Sequence, residues 1–220
     1  MATRSNQTRR RRGRRNRGGQ PSGSLPLPPQ PTVLTGPRYR SVMGGIVIHH
    51  RILAKTVNVT PSKAGAAQGA GEQIKICAEP NGLLQSGWLG NQVKLFDKYR
   101  FTQMRLIWQP ATSLMFAGNV AVWYDPDPSP TKPASYSSAS GHYRVLTLHV
   151  AAQGEITVEP HQLKRLTWYT AQPVSDYSDN QGVIEIAWSD ILSSSIQAAT
   201  AFTLGHLWIE FQLELSNPSG

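Results

Sequence analysis

The chain has a single cysteine, Cys77, among its 220 residues. That excludes an intrachain disulfide framework, and nothing in the cysteine usage points to a secreted scaffold. No apolar run approaches the ~20 residues that a membrane helix needs. The N-terminus is basic but no apolar stretch follows it, so neither a secretory leader nor a membrane partner is expected. The chain also lacks G-x-S-x-G, a phosphate-cradling P-loop, H-E-x-x-H and C-x-x-C, which removes the common hydrolase, nucleotide and zinc-protease chemistries. The expectation is a soluble, non-enzymatic protein of a reducing compartment that requires no cofactor.

Acidic residues are missing from the first 71 positions, where thirteen Lys and Arg stand unopposed before Glu72. The remaining 149 residues hold nine bases against all thirteen acids, a net of −4 within an overall +9. The chain is therefore a basic arm on a mildly acidic body. Eight arginines fall between residues 4 and 17: Arg4, Arg9, Arg10, Arg11, Arg12, Arg14, Arg15 and Arg17. Guanidinium is always charged and its planar fork fits phosphate oxygens, so this block is the candidate RNA-binding element. A merely solvated or nuclear-targeting tail is the alternative. Such a block cannot bury enough apolar surface to offset its ordering entropy, so disorder is expected until polyanion binds. Residues 21–37 carry six prolines and no charge, and read as a semi-stiff spacer. The division that follows is 1–40, a disordered Arg-rich and Pro-rich arm, and 41–220, the folded domain.

From about Tyr39 onward the pattern is β-branched runs broken by Gly, Pro, Ser and Asn. GGIVIHHRILAKTVNVT places Ile46, Ile48, Ile52, Val57 and Val59 on a long strand whose phase changes near its middle. QIKICA, FTQMRLIWQP, GNVAVWYDPDP, RVLTLHV, GEITVEP, LKRLTWYT and GVIEIAWSD supply further strands. Leu84, Trp88, Val93 and Phe96 suit helical turns. In LGHLWIEFQLELSNP, Leu207, Ile209, Phe211, Leu213 and Leu215 alternate with polar residues, the period of a half-buried antiparallel strand. Eight main strands in one body predict an all-β, eight-stranded jelly-roll β-sandwich. Trp208 falls on the polar phase of its strand, so it should leave the core and mark a surface for another copy or partner.

None of the six histidines stands beside a second His or a carboxylate at metal-ligand spacing; His49 and His50 are adjacent and face opposite sides of a strand. Cys77, on an apolar strand, reads as a small buried hydrophobe. WYDPDPSP offers Asp125 and Asp127 two apart at a strand end, a partial Ca²⁺ site to be completed by oxygens of a neighbouring subunit. The alternative is turn chemistry, with Asp capping its own backbone.

An arginine arm, a proline spacer and a jelly-roll body together resemble the coat proteins of small icosahedral positive-strand RNA plant viruses of the sobemovirus, tombusvirus and luteovirus type. The local matches run from about residue 44 to 217. GGIVIHH looks like a Gly-Gly-led first strand, and FQLELSNP like the last. Between them lie Lys98-Tyr99-Arg100, Ala117-Gly118 and Tyr124-Asp125, in the order of the most recognisable shell segment. The resemblance implies a capsid protein that assembles many copies of itself around single-stranded genomic RNA. Its location would be the virion, with the host cytoplasm during assembly and entry to the nucleus left open. At 220 residues there is no room for the projecting domain of tombusviruses, and no acid follows Asp127 until Glu155, unlike the relatives' calcium pattern. The other readings are a cellular ribonucleoprotein component with a basic tail, whose body would be basic too, and a cupin-like or lectin-like jelly roll, which would want a His-x-His and a following Glu.

Overall fold

The computed structural model describes residues 36–78, 82–85, 87–127, 131–164, 166–171 and 180–218. Their strands are β1 (Arg38–Val42), β2 (Gly45–Val59), β3 (Ala66–Ala67), β4 (Ala70–Lys75), β5 (Phe96–Pro110), β6 (Asn119–Asp125), β7 (Val145–His149), β8 (Gly154–Val158), β9 (Tyr169–Thr170), β10 (Val183–Trp188), β11 (Ile191–Leu192) and β12 (Phe202–Pro218). A single α-helix among these residues, α1 (Gly87–Val93), buries Leu89 and Val93 ahead of β5.

Eight of the strands form two four-stranded antiparallel layers, β2-β12-β5-β8 and β4-β10-β6-β7. Apart from β6 and β7, neighbouring strands within each layer are not consecutive in sequence, the interleaving of a jelly roll. β1 extends the first layer as a hairpin on β2, turning through Met43 and Gly44, whose φ of 77° is a left-handed conformation that glycine adopts without strain. The expected boundary between residues 40 and 41 thus falls inside β1, which begins at Arg38. All five of its residues are exposed, so it carries no apolar alternation to announce it.

The core lies between the layers, and three single-residue irregularities decide which side chains enter it. β12 pairs Leu207 with Lys55 but Trp208 with Leu53, leaving Ala54 as an extra residue of β2. This bulge flips the phase from Ile46, Ile48 and Ile52 to Val57 and Val59, the change predicted near the strand's middle. Thr102 is the corresponding extra residue of β5, between the pairs Gln212–Gln103 and Leu213–Phe101. It turns inward-facing Tyr99 and Phe101 into inward-facing Met104, Leu106 and Trp108. Leu204, the extra residue on β12, enters the core together with Leu207 despite their odd separation. Burying each large apolar side chain stabilises the fold by about 1.5–3 kcal/mol.

Gln181, fully buried, ties the layers beside the Thr102 bulge. Its Nε2 donates to the carbonyls of Phe101 (2.9 Å) and Leu163 (2.8 Å), and its Oε1 accepts from the Phe101 N–H (2.8 Å). The Tyr124 hydroxyl donates to the Gln181 carbonyl. These bonds satisfy backbone groups that the irregular ladder would otherwise leave buried and unpaired.

Trp208 does face away from the core, but it is half-buried rather than bare. Arg51 lies 5.1 Å from its ring centre, and its Nε1 donates to Gln109 Oε1 at 3.0 Å. Cys77 is buried.

Candidate functional site

The six residues of β10 are all buried, on both faces of the strand. Ile184, Ile186 and Trp188 face the core. On the other face, Ala187 packs with Ala121, Trp123 and Ala139 in a second cluster beneath the 3₁₀ turn Tyr136–Gly141. Glu185 shares that outer face and is only 5% exposed.

Cross-strand register assembles the polar group there. β6 and β10 pair Trp123 with Glu185 and Asp125 with Val183, so Asp125 and Glu185 are diagonal neighbours on one face. The 3₁₀ turn ends at His142, whose N–H donates to the Ala139 carbonyl and whose ring rests 4.8 Å from that of Trp123. His142 Nδ1 stands 3.6 Å from Asp125 Oδ2, and Nε2 stands 4.0 Å from Glu185 Oε2. Taking one ligand atom from each residue, the three lie within 4.8 Å of one another. Burial pushes the Glu185 carboxyl up to about 7, the Asp125 charge adds to the rise, and the Trp123 indole works against it. That indole N–H has no well-formed hydrogen bond of its own.

Of the two predicted ion ligands, the structure brings Asp125 into this group and leaves Asp127 outside it. Asp127 is exposed, and its N–H donates to Asp125 Oδ1 at 2.8 Å, the capping bond that the turn-chemistry reading expects. His142 and Glu185 escaped the sequence reading because the three positions belong to separate elements, 17 and 43 residues apart. The histidine does meet carboxylates, through tertiary approach rather than spacing. The arm residues Arg4, Arg9, Arg10, Arg11, Arg12, Arg14, Arg15 and Arg17 lie outside the described residues.

The outer face of the first layer is charged, and two of its arginines, Arg100 and Arg105, are paired with carboxylates. Arg105 bridges Glu155 (3.0 Å) and Glu210 (2.6 Å), and Arg100 bonds Glu214 (2.6 Å) while its guanidinium lies 4.3 Å from the Trp168 ring centre.

The family model described as viral coat protein (S domain) matches residues 26–220. The capsid protein of Melon necrotic spot virus is 23% identical over 186 residues, covering 83% of this chain and 44% of the relative. That of Cucumber necrosis virus is 23% identical over 129 residues, covering 59% and 34%. The chain thus spans less than half the length of these curated relatives. The X-ray structure of Melon necrotic spot virus superposes with a TM-score of 0.67 at 20% identity, over 91% of this chain and 60% of that one.

Proposed function

The chain belongs to the viral coat protein (S domain) family, and from that premise we propose that it is the shell subunit of an icosahedral particle whose single-stranded RNA is gathered by the arginine block. The observation that carries this reading is the division of charge: all eight clustered arginines precede a jelly roll that is close to neutral, with fourteen Lys and Arg against thirteen acids from Arg38 onward. Arginines that neutralise phosphates release condensed counterions, giving salt-sensitive binding without base readout. Repeated on many subunits facing one interior, such arms condense a genome. The body's Arg100 and Arg105 are engaged by carboxylates of the same sheet, so neither is free for phosphate.

Self-association needs apolar surface outside the core. Met43 in the β1–β2 turn, Leu114 and Met115 between β5 and β6, and Tyr143 ahead of β7 are each at least 72% exposed. Packed against neighbouring copies, they would contribute to interfaces on the order of 1,600 Å².

Expression of the full-length chain alone tests the proposal. Closed particles in negative-stain images, with nuclease-protected RNA seen at 260 nm, are expected. Monomers or dimers alone at low salt with RNA present would contradict it, and would favour a ribonucleoprotein component.

A further inference from the structure

We infer that Asp125, His142 and Glu185 form a binding site for a divalent transition-metal ion of the Zn²⁺ class, which fastens the Tyr136–Gly141 turn onto the outer face of the β10–β6 sheet. The donor set is one imidazole and two carboxylates. Ca²⁺ takes oxygen ligands only, in shells of six to eight, whereas imidazole with carboxylate suits zinc and its neighbours, with a fourth position open to water.

Geometry and burial support the site independently. Zinc bonds of about 2.0–2.1 Å place tetrahedral donors roughly 3.4 Å apart. Taking one donor atom from each residue, with only one of the two ring nitrogens of His142 holding the ion, the three lie within 4.8 Å of one another; side-chain adjustments of about 1.4 Å or less bring each pair to that separation. Glu185 is more than nine-tenths buried and aimed into the cluster. Its polar neighbours are His142 at 4.0 Å and the Trp123 indole N–H, which lacks a well-formed bond. A buried carboxylate beside a second one is costly unless a cation or hydrogen-bond donors compensate it, and here the donors are few. The stack of His142 on Trp123 holds the ring at the mouth of the site, a ready-made orientation for a ligand.

The ion would join β6, β10 and the 3₁₀ turn, three elements linked in sequence only by long intervals. It does not depend on shell assembly, so the test uses dissociated full-length chain, freed of metal by a chelator that is then removed. Titration calorimetry with Zn²⁺ should show one strong site per chain. His142→Ala and Glu185→Gln should each weaken that site roughly 10-fold or more, while His161→Ala, on the exposed surface, leaves it unchanged. Ca²⁺ at equal concentration should not displace the ion. Hydrogen exchange should slow across residues 131–144 on adding Zn²⁺ to the parent chain and not to Glu185→Gln, whose near-identical shape preserves the fold. Absence of a strong site, undiminished Zn²⁺ binding in both variants, or equal displacement by Ca²⁺ would each overturn the inference. Failure to form particles would bear only on the capsid reading.

Discussion

Glu185→Gln removes one buried negative charge and almost no volume, so its effect on stability follows from protonation alone. The Glu185 carboxyl holds its proton to about pH 7 in the folded chain against an ordinary 4.5. Between those values the native state binds the extra proton, so unfolding free energy falls as pH rises. The loss begins near pH 4.5, is complete just above 7, and is at most about 3 kcal/mol, because solvent at the Asp125 and His142 side of the group screens it. Below the window the native and unfolded states are protonated alike and nothing is lost. Glutamine has no proton to shed and escapes the decline. Urea midpoints of dissociated full-length chain, taken from pH 4 to 8 with a chelator present, should therefore coincide at the acid end. They should separate in favour of Glu185→Gln as pH rises, then run parallel above 7. Titrating groups far from Glu185 are common to both chains and cancel in the difference. A difference that stays flat across the range would refute the claim that Glu185 is a buried, charge-crowded acid.

Gln181→Leu should cost on the order of 4 kcal/mol, because it orphans the Phe101 N–H and carbonyl and the Leu163 carbonyl at roughly 1–3 kcal/mol each; a urea-measured loss below about 1 kcal/mol, the size of a surface change, would contradict the inter-layer tie. Gly205→Ala should destabilise as well, since its Cβ would fall 2.4 Å from the Trp108 ring, and an unchanged thermal midpoint would show that the indole yields freely. Replacing Arg9, Arg10, Arg11 and Arg12 by alanine should flatten the salt dependence of single-stranded RNA binding by about 3 in log–log slope, read by fluorescence anisotropy. An unaltered slope would take phosphate contact away from those arginines.

The jelly roll was legible because its strands keep a clean period of two, and even the Ala54 bulge showed as a change of phase between Ile52 and Val57. The alternation of FTQMRLIWQP begins at Phe101, whereas β5 begins at Phe96. Thr102 breaks its alternation, and Asp97 and Lys98 hide the inward Tyr99 among charges. β1 was invisible for the opposite reason: a five-residue edge strand with no buried residue has no pattern to read. Glu185 was visible only as the polar position in VIEIAW, which alternation assigns to solvent. The turn that covers it, and delivers His142, is a tertiary event with no local signature. Asp125 was singled out from its turn, while its partners come from two other elements. Composition located the arm because charge segregation needs no fold to be seen.

The most direct test of the division between a shell-building sandwich and an RNA-gripping arm is removal of residues 1–20. Sedimentation and the 260-to-280 nm absorbance ratio are then measured beside the full-length chain. The account predicts assemblies that still form under some ionic condition but carry no RNA. Unchanged RNA content, or a trimmed chain that never associates at any salt concentration, would contradict it.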